Sequence, residues 1–582
     1  MILRFVQKDS VVYRLLLCLG VGLGTLFGLS PYSFLTAGII AAISTVFFFL
    51  SLNKESPWAA ALWLLILSQI LNYTTFYWIP GSVSRISGTD SFVSILFFLF
   101  YGLISHLKFF SFYFIFRFFK VTAPDNLRLF YIFPTAGTLA DMTTYQIFPW
   151  YWGNLISGSI VLEQFASIGG VYGLSFLLLF LSSVILIFTI NIQKRESIQF
   201  RTALLSGFVM ILVYFYGLYR IGFGYLNEEK IKKFSILLVQ PNTSPGTKNL
   251  QADETFLSRT MSKVLSLALR ESENSQNVSP NLIILPESAI PFHGTIDSDE
   301  NKIKHIYSPT MEGLVLYLSK LTGADVLFNE LNIDKGKLRN QISLFRNRDG
   351  KTERYDKRKL LPFGEYLPLE KQFPILRSIF KETSFYVPGE FPKILHGSLE
   401  NRIRVIQIPN KNDLNQLSNP EKLRHSFTSS ETGQNQIQNS ENSYSILPLL
   451  CYEAMFTELV LDYYRSGKHP PEVLINLTND SWFDSELEAY QHSGTVRLRA
   501  IETGLPMIRS AVSGITEVWD SRGISRIQPI GFHETDIRAI EIEIKTYKPT
   551  VYTRFGAFGI WIVCLFIFTL SFLLESRTRK EI

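Results

Sequence analysis

Apolar residues come in long, nearly unbroken runs over the first 225 positions and in short runs after that. The long runs lie at 11–29, 31–52, 58–79, 91–118, 128–147, 171–191 and 202–222, with an eighth at 556–575. Each has roughly the 17–25 residues that cross a bilayer's hydrocarbon core. The fifth is the least uniform, because Asp141 and several threonines interrupt it. The first follows Arg4, Lys8 and Arg14 as the apolar part of a signal peptide would, but no small-x-small cleavage site ends it and a second run follows at once, so it reads as an uncleaved span.

From about residue 234 the apolar runs shorten to strand length, with charged residues and prolines between them. The pattern predicts strands at 235–239, 281–285, 324–328, 342–346, 404–408, 445–450, 472–476, 506–510 and 516–520. It predicts helices at 254–270, 308–321, 453–466 and 487–503. In the third of these helices Phe456, Leu459, Val460 and Tyr463 share one face, and Gly467 ends it. Strands alternating with helices indicate an α/β domain of roughly 300 residues. The stretch 410–442, rich in Asn, Gln, Ser, Glu and Lys, reads as a mobile insertion. The expected organisation is a membrane domain of about seven transmembrane helices at 1–225, an α/β domain at 230–548 and a C-terminal transmembrane helix at 553–577.

Composition sharpens this picture. A mean hydropathy of +0.17 in a chain with 48 Phe and 26 Tyr is too apolar for an ordinary soluble enzyme. The net charge of +6 is accounted for by cations flanking the spans, and no basic patch interleaved with aromatics points to nucleic acid. With the N-terminus in the cytoplasm, the cytoplasmic ends carry Arg4, Lys8, Arg14, Lys54, Arg117, Lys120, Arg128, Lys194, Arg195, Arg201, Arg577, Arg579 and Lys580. The short outside loops carry little beyond Arg85. That asymmetry places the α/β domain outside the cytoplasm. Of the three cysteines, Cys18 and Cys564 lie in spans, so no disulfide framework is possible and Cys451 stands alone. No His/Cys cluster has metal-ligand spacing, and neither a metal nor a diffusible cofactor is expected.

Three strand ends carry polar residues suited to chemistry. Residues 282–287 read L-I-I-L-P-E, which puts Glu287 just beyond a buried strand, where desolvation raises a carboxyl's pKa and suits it to general-base work. Residues 355–365 read Y-D-K-R-K-L-L-P-F-G-E. Residues 446–456 read I-L-P-L-L-C-Y-E-A-M-F, which puts Cys451 between a strand and a helix start, where partial positive charge favours a thiolate. A buried structural cysteine, a helix-capping Glu and a solvated Lys fit the same positions singly. In the membrane half, F-P-W-Y-W-G-N at 148–154 reads as an aromatic interface anchor or as a wall beside a lipid site.

The order of L-P-E, Y-x-K-x-x-L-L-P-F-G-E and C-Y-E resembles the nitrilase (carbon–nitrogen hydrolase) superfamily. With the spans, and with L-S-P-Y-S, F-P-W, V-Q-P-N, N-D-S-W-F and Q-H as further landmarks, the whole chain resembles the apolipoprotein N-acyltransferase family of bacterial inner membranes. The resemblance implies a multi-span α-helical membrane domain carrying an extracytoplasmic nitrilase-like αββα sandwich. It implies a Glu287–Lys357–Cys451 triad, with Lys357 chosen over Lys359 because the family's lysine stands eight residues before the Glu of F-G-E. Glu365 and Glu453 would be supporting carboxylates, the Tyr452 backbone N–H an oxyanion donor, and Trp150 and Trp482 part of the lipid-binding loops. The implied function is transfer of an acyl chain from a membrane phospholipid to the α-amino group of a diacylglyceryl apolipoprotein, by a monomer in the inner membrane whose catalytic domain faces the periplasm. A membrane-tethered amidase or nitrilase, a binding-only paralogue, and a transporter or scaffold are the alternatives. Asp484 and Ser513 depart from the family's usual residues, as do the 410–442 insertion and the lack of a Glu and an Arg upstream of F-P-W.

Overall fold

The computed structural model describes residues 10–123, 128–194, 200–222, 231–243, 262–266, 280–290, 293–295, 306–399, 442–466, 470–545 and 549–578, with Arg259 and Pro420 besides. The expected strand at 404–408, the insertion except Pro420 and Asn442, and most of the expected helix at 254–270 lie outside the described residues.

Each long apolar run carries a helix. In chain order these are α1 (Val11–Gly28), α2 (Leu35–Ser51), α3 (Pro57–Thr75), α4 (Ile79–Ser87), α5 (Ser91–Ser105), α6 (Lys108–Phe118), α7 (Leu129–Thr143), α8 (Ala166–Lys194) and α9 (Phe200–Gly222). Starts are set by local chemistry: Ser10 and Ser56 cap α1 and α3 through their side chains, and Pro57 opens α3 where its missing N–H costs nothing. By length and composition Val11–Gly28, Ser91–Phe118, Ala166–Lys194 and Leu205–Gly222 can each cross a membrane, and α3 with α4 makes a fifth span if the pair, bent by 76°, counts as one. Leu35–Ser51 and Phe558–Leu573 are shorter apolar helices.

The α/β part holds two sheets. One runs in the order β11-β1-β2-β3-β4-β5, from β1 (Ile231–Gln240), β2 (Leu282–Ile284), β3 (Asp325–Asp334), β4 (Lys337–Phe345), β5 (Thr352–Asp356) and β11 (Asp536–Lys545). The other runs β10-β9-β8-β7-β6, from β6 (Leu395–Ser398), β7 (Ser443–Leu450), β8 (Val473–Thr478), β9 (Met507–Ala511) and β10 (Glu517–Trp519). Alternation along β1 explains the layering. Phe234, Ile236 and Leu238 join a core shared with Tyr444, Ile446 and Leu450 of the second sheet, the Phe234 and Tyr444 rings 4.6 Å apart, whereas Leu237 and Val239 face Met311, Leu314 and Leu318 of α10 (Pro309–Thr322). Strands buried on both faces read as continuous apolar runs, which is why β1 and β7 stood out in the sequence. On the second sheet's outer side lie α11 (Thr457–Arg465) and α12 (Glu486–Thr503), which completes a helix–sheet–sheet–helix sandwich. A final apolar helix, α13 (Phe558–Thr578), follows.

Helix α12 rests on the membrane helices. Arg497 pairs with Glu163, the Val171 N–H donates to Glu502 Oε1 at 2.9 Å, and Gln491 Nε2 donates to the Thr75 carbonyl at 3.2 Å. Where α8 passes beneath, Gly170 adopts φ 62° and ψ −165°, and a Cβ there would stand 2.2 Å from the Tyr552 ring.

Candidate active site

Four strand ends converge on one cavity of about 430 Å³, a volume typical of small-ligand sites. Its lining includes Glu287 beyond β2, Lys357 and Glu365 beyond β5, Cys451 beyond β7, and Trp482 beyond β8. Lys357 Nζ lies 2.9 Å from the Glu365 carboxylate and 3.8 Å from Glu287 Oε1. Asn340, on β4, points Nδ2 at both acids, 3.1 Å from Glu365 Oε1 and 3.5 Å from Glu287 Oε1. Glu365 Oε2 accepts the Leu361 N–H at 2.8 Å, which fixes the Pro-Phe-Gly turn under the lysine.

The electrostatics divide these groups. Burial pushes Glu287 up to about 7, against the pull of Lys357. Burial works against charge on Lys357, but Glu365 and Glu287 outweigh it and hold the ammonium. Burial, helped by Glu287, pushes the Cys451 thiol well above its ordinary value. The sequence expectation of a helix-stabilised thiolate therefore does not hold at rest. Cys451 opens a five-residue 3-10 turn, Cys451–Met455, and helix α11 begins only after an extended Phe456. Burial thus favours the protonated thiol, with a carboxyl raised to about 7 in the same cavity.

Cys451 sits at φ 55°, a left-handed conformation rare for a side chain of this kind. Its carbonyl accepts from Asn476 Nδ2 at 2.9 Å, and the same nitrogen binds the Leu449 carbonyl at 3.1 Å. Arg509 in turn donates to Asn476 Oδ1 at 2.9 Å and to Asp480 Oδ2 at 2.5 Å. Asp480, Glu488 and His492 bring their ligand atoms within 4.8 Å of one another, a grouping that no sequence spacing announced. The Arg509 guanidinium already neutralises Asp480, so this buried set works as an ion-pair network behind the cysteine.

Glu453 does not reach the cavity. Fully buried, it accepts from the N–H groups of Leu450, Arg358 and Lys359 at 2.8, 2.7 and 2.9 Å, and from the Tyr355 hydroxyl at 3.0 Å. It thereby ties the lysine loop to the cysteine turn. Tyr452 sends its hydroxyl to the Leu360 carbonyl at 2.9 Å and packs its ring on Phe148 and Phe456. Lys359 lies apart from the acids, 4.9 Å over the Phe456 ring.

Trp150, expected beside the lipid, is instead buried and absent from the cavity's described lining. Lys108 Nζ lies 3.2 Å over its ring, donates to its carbonyl at 2.8 Å and pairs with Asp141 at 2.9 Å. Trp150 lines a smaller cavity with Trp78, Phe148 and His492. Sequence reasoning also missed Asn340 and Arg85 as lining residues. A polar Asn within a strand, and the one cation noted in the outside loops, were the available signals.

Profiles of known families match both halves of the chain: the carbon–nitrogen hydrolase family over residues 239–531 and the apolipoprotein N-acyltransferase N-terminal domain over residues 21–184. The chain is 62% identical over 583 residues to apolipoprotein N-acyltransferase 1 of Leptospira interrogans, covering 100% of both chains. It is 27% identical to apolipoprotein N-acyltransferase 2 of the same organism, over 99% of each chain. The crystal structure of a CN-hydrolase superfamily protein from Xanthomonas campestris aligns at 16% identity and a TM-score of 0.32, over 53% of this chain and 91% of that one.

Proposed function

The chain belongs to the apolipoprotein N-acyltransferase family, and on that premise we propose that it acylates apolipoproteins through a thioester on Cys451. Glu287 takes the Cys451 proton as the sulfur attacks the ester carbonyl of a membrane phospholipid. The oxyanion is met by Lys357 and the Tyr452 N–H, donors of a kind worth about 3 kcal/mol each. As the C–O bond breaks, Glu287 returns the proton to the departing lysophospholipid alkoxide and the acyl chain remains on sulfur. The α-amino group of a diacylglyceryl-cysteine then attacks the thioester. Glu287 accepts the amine's proton, the C–S bond breaks, and the proton passes to the thiolate, leaving an amide and the free enzyme.

The observation that carries this reading is the shared cavity. Glu287, Lys357 and Cys451 line it together with Arg85, Ile86 and Gly88 of the membrane half, so the chemistry faces the place where lipids arrive. Both substrates are anchored in one leaflet, and a half-enclosed site keeps water from the thioester. The charge asymmetry of the loops supports an inner-membrane protein with the sandwich on the periplasmic side. Replacing Cys451 with Ser or Ala is expected to abolish both the covalent acyl adduct and transfer from phospholipid to a diacylated lipopeptide. Retained transfer would overturn the assignment.

A further inference from the structure

The membrane half contributes Arg85, Ile86 and Gly88 to the described lining of the cavity, and Arg85 brings a charge that the triad does not use. The other ammonium or guanidinium there is Lys357, already engaged by Glu365 and Glu287. Arg85 sits in the last turn of α4. Helix α4 bends 76° away from α3, so it runs nearly across the α3 axis.

The guanidinium is held in place rather than loose. Nε donates to the Trp482 carbonyl at 3.3 Å, Nη2 donates to the Phe483 carbonyl, and Nη1 faces Asp484 Oδ2 at 3.2 Å. The two carbonyls orient the fork. The carboxylate contact is the exchangeable one, since Arg85 and Asp484 are 39% and 48% exposed and such pairs contribute little. Asp484 would not be stranded by the exchange, because His533 Nε2 lies 3.2 Å from its other oxygen and His533 Nδ1 is anchored 2.9 Å from Ser513 Oγ. The two positions that depart from the family's pattern, Asp484 and Ser513, are thus joined through one histidine.

We propose that Arg85 is the phosphate-binding residue for the acyl donor, with Asp484 as the carboxylate that a phosphate displaces; this rests on the phospholipid-to-Cys451 transfer proposed above. Only a glycerol separates the ester carbonyl from the phosphate in a glycerophospholipid. A donor with its carbonyl at Cys451 therefore presents its phosphate inside the same cavity, where a planar guanidinium matches it in two contacts.

The test compares two donors with the full-length protein in detergent: a glycerophospholipid and the diacylglycerol with the same chains, each read as the rate of acyl-Cys451 formation by mass spectrometry. In Arg85→Gln the ratio of the phospholipid rate to the diacylglycerol rate is expected to fall on the order of tenfold, as for loss of a charge-assisted hydrogen bond. Arg85→Lys is expected to recover part of it, and Asp484→Asn to hold or raise it. An equal loss on both donors would make Arg85 a strut for the Trp482 turn, and no loss on either would make it a bystander; each overturns the inference while leaving the thioester intact. If wild-type protein takes up no acyl chain from either donor, the thioester reading falls and this inference falls with it.

Discussion

In the proposed mechanism Glu287 accepts a proton from a thiol that burial pushes toward its protonated form and then gives it to a leaving alkoxide. A carboxyl near 7 is suited to both tasks, whereas one at the ordinary value would be a poor base for this thiol. Because the value is raised, the base is protonated and idle at acid pH. The rate of Cys451 acylation by an uncharged ester should therefore fall as pH drops through about 7, where a solvated carboxylate would hold its rate to about 5. Lys357 is the group that pulls Glu287 down, so Lys357→Met should move that midpoint to higher pH and cut the plateau by on the order of a hundredfold. An unmoved midpoint would show that the ammonium acts elsewhere. At this scale Glu287 and Cys451 stood out because each closes an apolar strand, whereas Lys357 and Glu365 were picked out by the Y-x-K-x-x-L-L-P-F-G-E resemblance, since the strand before them went unread. The geometry of Glu453 was not, because its donors come from Tyr355, Arg358 and Lys359, far away along the chain.

The element that concentrates strain is the turn after β7. A side chain at φ 55° costs about 1 kcal/mol relative to glycine, and the cost is tolerated because Asn476, Arg509 and Asp480 clamp the carbonyl from behind. Both Cys451→Gly and Cys451→Ala remove the thiol, but only glycine is at ease in that conformation. Cys451→Gly should therefore unfold later than Cys451→Ala by about 1 kcal/mol in thermal or denaturant melts. The reverse order would mean that the turn relaxes once the sulfur is gone. The reading of 453–466 as one helix failed here for a stated cause: Glu453 spends its carboxylate on backbone N–H groups of two loops, and Phe456 is pulled straight. Strands β5, β6 and β11 also went unread. β11 does alternate, but the charges on its exposed face, Glu541 and Glu543, make an edge strand look like a linker.

Across the whole molecule, the catalytic sandwich stands on a floor that the membrane helices hold level. Phe148 packs against Tyr452 and against Phe483, so the loop 148–154 supports both the cysteine turn and the Trp482 turn. That loop is fixed from below by Lys108 and Asp141: the lysine donates to the Trp150 carbonyl, and the aspartate accepts the Trp152 N–H at 2.8 Å and the Ser175 hydroxyl at 2.7 Å. A hydropathy pattern shows such charges only as interruptions of a span, because the partners lie on different helices, and the tryptophan they hold is indistinguishable in sequence from an interface anchor. The pair is 1% and 0% exposed, so removing one member leaves a buried charge without compensation, a change worth about 3–5 kcal/mol. Lys108→Met should thus lower the unfolding temperature in detergent markedly, while Lys108→Met combined with Asp141→Asn should cost less than the single change, since no bare charge remains. If the sandwich does rest on this floor, the single variant that survives at low temperature should also form acyl-Cys451 more slowly, although neither residue touches the cavity. A variant that melts early yet acylates at the wild-type rate would show that the floor serves folding alone.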